Sequence, residues 1–204
     1  MPALAIVIGY LLGSIPFAYI VVRLFKGADI RKFGGGNVGA LNVVREVSPA
    51  LGIGVLLGDV GKGALAILVA KWLGVGTLFV YLAGFAAVVG HIWPIFLRFK
   101  GGRGLATTLG VLLAVEPIQL LISFAIMVVV ILITSNPRLG AIIGLTLLPL
   151  IVWGFGGTLD VILYSLSLPL FIALLTIPDF KKAFTTDRKD LIVDHKYKFW
   201  QKRK

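Results

Sequence analysis

Apolar residues dominate this chain in long runs, broken by short polar stretches. A helix that crosses a bilayer needs roughly 20 mainly apolar residues. Runs near that length extend over 3–22, 51–72 and 77–96, then over 105–115, 118–133, 139–155 and 159–177. The expected fold is therefore an all-α polytopic membrane protein with about seven transmembrane helices. The fourth run, Leu105 to Val115, is short and ends at Glu116-Pro117. It reads as a short helix or half-span, which leaves a count of six open. The pairs Gly9–Gly13, Gly54–Gly58 and Gly140–Gly144 have the spacing that lets membrane helices approach closely.

The charged residues between the runs orient them. Arg23, Lys26, Arg31, Lys32 and Arg45 follow the first run, Arg98, Lys100 and Arg103 the third, and Arg138 the fifth. Lys181, Lys182, Arg188, Lys189, Lys196, Lys198, Lys202, Arg203 and Lys204 lie in the tail. With seven spans and the N-terminus outside, all of these fall on one side, and Lys71 is the one cation in the opposite loops. Cytoplasmic loops of membrane proteins carry such an excess. The expectation is a multi-pass protein of the cell (inner) membrane with its active face cytoplasmic. A membrane domain covers residues 1–178 and a basic cytoplasmic tail residues 179–204. No Lys or Arg precedes Arg23, so the first run reads as a retained span rather than a signal peptide.

Composition agrees. Mean hydropathy is +1.00, and the 58% hydrophobic content exceeds the roughly 45–50% of soluble domains. A net charge of +11 on such a chain points to anionic lipids rather than nucleic acid. There is no cysteine, which excludes disulfide and thiolate chemistry. Zinc would have to rely on His91, His195 and carboxylates.

Two polar loops carry the candidate chemistry. Gly34-Gly35-Gly36-Asn37-Val38-Gly39 lies between Arg31 and Arg45. Successive glycine amides form concave anion sites, and arginines add charge, so this loop reads as a cradle for a phosphorylated molecule. Asn37 and Asn42 would hold a substrate hydroxyl or cap the loop. A second loop, Lys100-Gly101-Gly102-Arg103-Gly104, leads into a helix whose first amides, through Thr107, favour an anion. Asp59 and Lys62 interrupt the second span three residues apart, on one helix face. They read as an internal ion pair, a snorkelling lysine or a functional group. His91 ends the third span as a general base, a phosphate ligand or an interfacial histidine.

Taken in order, Gly13-Ser14-Ile15-Pro16-Phe17, Asp29-Ile30-Arg31, the Gly34–Asn42 loop, Arg45, Asp59 with Lys62-Gly63, Gly90-His91 with Pro94, and Phe99 to Thr107 resemble the bacterial acyl-phosphate:glycerol-3-phosphate acyltransferase family, the PlsY type. The match covers roughly the first 110 residues, and later spans agree in hydropathy only. The resemblance implies a monomeric seven-span enzyme of phospholipid synthesis. It would move a fatty acyl group from acyl phosphate to the 1-hydroxyl of glycerol 3-phosphate, without a metal. His91, Asn37, Arg45 and Arg103 would be catalytic, with Arg45 and Arg103 on glycerol phosphate. Gly34, Gly35, Gly36, Gly39, Asn42, Arg31, Lys62, Gly101, Gly102, Gly104 and Thr107 would bind the phosphates. The chain departs from the family pattern at Gly35 (serine), Leu41 (threonine) and Arg103 (lysine). It departs again at Arg138 and Ala141, and at Asp187 and Asp190, where a tail motif has histidine and asparagine. These departures motivate a second reading, a non-catalytic or substrate-shifted paralogue that binds acyl phosphate or anionic lipid. An anion transporter is a third.

Overall fold

The computed structural model describes the backbone of residues 1–185 and the side chains of residues 1–136 and 139–175. Asp187, Arg188, Lys189, Asp190, His195 and the rest of the basic tail lie outside the described residues, as does the side chain of Arg138. Every described element is a helix, and no strand occurs among the described residues. Residues 1–114 and 115–185 form separate compact units.

The first unit begins with α1 (Pro2–Ser14) and α2 (Phe17–Lys26), followed by a single 3-10 turn at Ile30–Lys32. After it come α3 (Ala40–Glu46), α4 (Pro49–Trp72), α5 (Thr77–Ile92), a second 3-10 turn at Ile95–Leu97, and α6 (Leu105–Val115). The first apolar run, read above as one span, is in fact two helices. Proline disfavours the helical conformation for the residue before it and donates no amide hydrogen bond. Ile15, just before Pro16, is accordingly extended, at φ −61° and ψ 116°. Pro49 and Pro117 start helices instead, because a first-turn amide has no acceptor to lose. At about 1.5 Å per residue the 11-residue α6 rises only about 16 Å, half the hydrocarbon thickness.

Backbone-to-backbone packing holds this unit. Gly9 and Gly13 of α1 leave no room for a Cβ against the carbonyls of Ala83 and Ala87 on α5, and Gly90 of α5 sits as tightly on Tyr10 and Ser14. These contacts advance along both helices in the same sense, so α1 and α5 run parallel. Gly63 of α4 meets the Thr107 carbonyl of α6 the same way, and Gly110 meets Val60. Lys71, the one cation assigned to the far side, donates to the Ala114 carbonyl at the end of α6 (2.9 Å). Beneath the polar loops, Ala18, Val22, Ile30, Val38, Val43, Val47, Val55 and Leu97 form a buried core. It ties α2, α3 and the start of α4 to both loop regions.

The second unit holds α7 (Pro117–Thr134), α8 (Pro137–Gly154) and α9 (Leu159–Thr185). Gly140 packs on Met127 and Ile131, and Gly144 on Met127 and Ser123, so α7 and α8 run antiparallel. Ser123 donates to the Gly144 carbonyl across that contact (2.7 Å). Four stretches are long and apolar enough to cross a membrane: Pro2–Lys26, Pro49–Trp72, Thr77–Leu97 and Pro117–Thr134. Shorter apolar helices cover Leu105–Val115, Leu139–Gly154 and Leu159–Leu175.

Of the three small-residue pairs, Gly54–Gly58 differs. Gly58 faces the Phe17 ring, but nothing lies within 4 Å of a Cβ on Gly54. Gly13→Val should therefore lower the melting temperature, at an overpacking cost of about 1–3 kcal/mol. Gly54→Ala should leave it unchanged or raise it slightly. Thermal unfolding in detergent checks both.

Candidate functional site

The first glycine loop is a built structure. Gly34 and Gly36 take positive φ (55° and 71°), a region that costs a side-chain-bearing residue energy. The Gly36 amide turns back to the Phe33 carbonyl (3.0 Å). Asn42, buried on α3, closes the loop by donating from Nδ2 to the carbonyls of Phe33 (3.2 Å) and Asn37 (2.9 Å). Gly34 lies on the Asn42 and Glu46 side chains, with no space for a Cβ between. Among the described residues, Gly36 is the one member of the 34–39 run whose amide is spent on a backbone carbonyl. No backbone carbonyl accepts from the amides of Gly34, Gly35, Asn37, Val38 and Gly39 among the described residues. Gly35 has open space around it, with nothing within 4 Å of a Cβ built there.

The second loop works differently. The Gly101 and Gly102 amides donate to the carbonyls of Ile92 (3.1 Å) and His91 (3.0 Å) at the end of α5. They cap that helix, so they are not free for phosphate, contrary to the sequence expectation. A Cβ on Gly101 would strike the His91 carbonyl and Pro94, and one on Gly102 would overlap His91 Nε2 and lie 2.9 Å from the Val38 carbonyl oxygen. These glycines serve close approach. The anion capacity of this loop rests on the start of α6, where Gly104 (φ 82°) redirects the chain and first-turn amides have no intrahelical acceptor. Before it, Arg98 and Phe99 both hold positive φ (54° and 60°), an uncommon pairing for side-chain-bearing residues.

Val38 and Gly102 thus bring the two glycine loops into direct contact, with the His91 ring at the seam. Below it lies a buried polar cluster. Asp59 Oδ1 is 2.7 Å from Lys62 Nζ and 3.4 Å from His91 Nδ1. Lys62 Nζ also donates to the Ile15 carbonyl (2.8 Å), at the break between α1 and α2, and sits 5.7 Å from the Phe17 ring centroid. Side-chain exposure is 3% for Lys62, 2% for Asp59 and 5% for His91. The lysine is a buried brace rather than a snorkelling cation or an open phosphate ligand.

Arg31 is engaged as well. Its Nε donates to both Asp29 oxygens (3.0 and 3.2 Å), its NH2 to Oδ2 (2.7 Å), and its guanidinium stacks 5.2 Å from the Tyr19 centroid. Those hydrogen bonds hold Asp29 below its ordinary value of 3.8 and Arg31 above its own. Arg45 is half-buried on α3, and Arg103 is exposed at the end of the second loop, two residues before α6. Asn37 folds back so that its side chain lies over Gly39. Thr107 is fully buried, with its hydroxyl unpaired, and lies behind the seam rather than at its mouth.

Sequence reasoning left two residues out of the site. Asp59 is the hub of the cluster, and its pairing with Lys62 was legible in the spacing. Its contact with His91 crosses helices and was not. Glu46, 8% exposed beneath Gly34, gave no sequence signal beyond its place beside Arg45.

These features define a helical membrane scaffold with two glycine loops in contact beside a buried Asp59–Lys62–His91 cluster. The glycerol-3-phosphate acyltransferase family model matches residues 3–186. Glycerol-3-phosphate acyltransferase 1 of Dehalococcoides mccartyi (strain ATCC BAA-2266 / KCTC 15142 / 195) is 43% identical over 200 residues, covering 94% of this chain and 96% of the relative. Glycerol-3-phosphate acyltransferase 2 of Moorella thermoacetica (strain ATCC 39073 / JCM 9320) is 47% identical over 149 residues, covering 73% and 76%. The crystal structure of PlsY (YgiH), an integral membrane glycerol 3-phosphate acyltransferase, in its glycerol 3-phosphate form superimposes with a TM-score of 0.83 at 33% identity, covering 90% of this chain and 92% of that one. The chain belongs to the glycerol-3-phosphate acyltransferase family. It is a multi-pass membrane protein.

Two outcomes follow from the geometry. Gly102→Ala should lower turnover by about 100-fold, the scale of an ångström-sized misplacement at a reacting site. Gly35→Ser, which meets open space, should be accommodated without loss of folding. Steady-state assays and thermal melts of the two variants check this. Because the Asp29 value is lowered, its pair with Arg31 contributes in full above the ordinary carboxylate value and is lost as pH falls through the lowered one. The stability gap between wild type and Asp29→Asn should be constant above about pH 5 and close below about pH 4. Thermal melts across pH measure it.

Proposed function

We propose that this protein transfers a fatty acyl group from acyl phosphate to the 1-hydroxyl of glycerol 3-phosphate, releasing lysophosphatidate and phosphate at the start of phospholipid synthesis. The contact of Val38 with Gly102, which joins the two glycine loops at His91, carries this reading. Two phosphorylated substrates must meet, and each loop region offers its own anion-binding amides. Family membership supports the reaction.

The amides of Gly34, Gly35, Asn37 and Gly39 hold the acyl phosphate. Arg45 and Arg103, with the first-turn amides of α6, hold glycerol 3-phosphate. The acyl tail lies among membrane helices. A groove of about 380 Å³ between α1 and α4, lined by Leu12, Ile15, Phe17, Gly58, Leu65 and Leu68, suits it. The substrate hydroxyl oxygen attacks the acyl carbon as its proton passes to the donor's own phosphate, directly or by way of His91. The bond from that carbon to the phosphate oxygen breaks, and phosphate leaves with the electron pair and takes up the proton. Phosphate is already a good leaving group, so positioning and charge stabilisation supply most of the rate. Seven spans with the N-terminus outside put both loops at the cytoplasmic surface of the cell membrane. The basic loops support this topology and suit anionic lipid headgroups. Residues 1–178 act as the membrane domain, in monomeric form.

Purified protein should consume acyl phosphate only when glycerol 3-phosphate is present. Arg45→Ala should lower kcat/KM for glycerol 3-phosphate by about 10–100-fold, the cost of one charge-assisted hydrogen-bond partner. Binding of acyl phosphate by calorimetry without turnover, in a folded sample given several chain lengths, would replace this reading with a binding paralogue.

A further inference from the structure

Asn42 stands on α3 behind the first glycine loop, and the reaction just described gives it no task. Both hydrogens of its side-chain amide are nevertheless taken. Nδ2 donates to the Phe33 carbonyl (3.2 Å) and to the Asn37 carbonyl (2.9 Å). Two carbonyl oxygens only accept, so the nitrogen end of the side chain, not the oxygen end, must face them. The residue is also held from behind. The Gly39 carbonyl accepts from the Asn42 and Val43 amides (3.1 and 3.3 Å), and Val43 and Val47 of the same helix are in the buried core.

Those two side-chain bonds decide which way the peptide groups of the loop point. In a trans peptide the carbonyl and the following N–H point in opposite directions. Carbonyls of Phe33 and Asn37 drawn to Asn42 therefore turn the Gly34 and Val38 amides away from it. No backbone carbonyl accepts from either amide. The same bonds withdraw two negative carbonyl ends from the outer face of the loop, where they would repel an anion. Glycines at 34, 35 and 36 leave this stretch conformationally permissive, so its peptide orientations need a constraint from outside the loop.

We propose that Asn42 is a positioning residue for the acyl donor: by holding the Phe33 and Asn37 carbonyls inward it sets the affinity of the first loop for the donor's phosphate, without touching that phosphate itself. Asparagine is the side chain the position demands. Aspartate has the same outline but would set a carboxylate against two carbonyl oxygens. Leucine has similar bulk and no donor. The inference rests on the proposed assignment of this loop to acyl phosphate. It also separates the two substrates, because Arg45, three residues along the same helix, is assigned to glycerol 3-phosphate.

The test compares full-length wild type with Asn42→Asp and Asn42→Leu in detergent, the leucine variant serving if the aspartate one fails to fold. Thermal melts establish folding. Steady-state assays give KM for each substrate, and calorimetry follows palmitoyl phosphate binding without glycerol 3-phosphate. KM and Kd for palmitoyl phosphate should rise by about 10–100-fold, the scale of buried carbonyls left without a donor. KM for glycerol 3-phosphate should stay near the wild-type value. A purely structural role would disturb α3 and with it Arg45, raising both KM values together, and that result would overturn the proposal. Unchanged palmitoyl phosphate binding in a folded variant would overturn it equally, as would a wild type that does not bind palmitoyl phosphate. If wild type binds palmitoyl phosphate but never turns over glycerol 3-phosphate, the acyltransferase reading fails, while the comparison of Kd values still decides this inference.

Discussion

A methyl group on Gly102 would overlap the His91 imidazole and press on the Val38 carbonyl. That lack of room is the constraint on which the site depends. It joins a loop between α2 and α3 to a loop between α5 and α6, segments more than 60 residues apart in the chain. Without the close approach there would be two unrelated polar turns at the end of a helical bundle. With it, the first loop and the segment leading into α6 meet at one place.

The approach is supported from beneath by burial that would be costly if incomplete. A lone ionised side chain among membrane helices is expensive, and a pair repays that cost only with good geometry and further hydrogen bonds. Lys62 meets that condition through Asp59, the Ile15 carbonyl and the Phe17 ring. The Ile15 carbonyl is available because Pro16 interrupts the first apolar run. A sequence feature that looks like a flaw in a transmembrane helix thus supplies an acceptor for a buried cation. Close packing of Gly9 and Gly13 on α5 sets the separation of two of the helices that border this cluster.

Much of this was legible in the sequence. Apolar run length placed helical structure on all seven segments, although the first is two helices, and the short fourth run is the short α6. The i, i+3 spacing of Asp59 and Lys62 gave their pairing. What escaped was of two kinds. Contacts between helices, such as Asp59 with His91 and Gly102 with Val38, depend on packing that no local pattern encodes. Glycine also has two physical uses that share one letter. In the first loop Gly34 and Gly36 provide positive-φ turns, while Gly101 and Gly102 provide room and spend their amides as a helix cap. Arg31 has a partner that the charge pattern did not reveal: Asp29, two residues earlier, pairs with it.

The joining of the loops is directly measurable, because the chain has no cysteine and any introduced thiol is unique. Spin labels on Gly35→Cys and Lys100→Cys, both exposed, would report their separation in a bilayer by pulsed dipolar spectroscopy. At about 3.8 Å per residue from the Val38–Gly102 contact, the labelled backbone sites lie no farther apart than about 25 Å. A distribution centred within that reach, with both labels quenched from the same membrane face, is the predicted result. A longer separation, or labels accessible from opposite faces, would contradict the account.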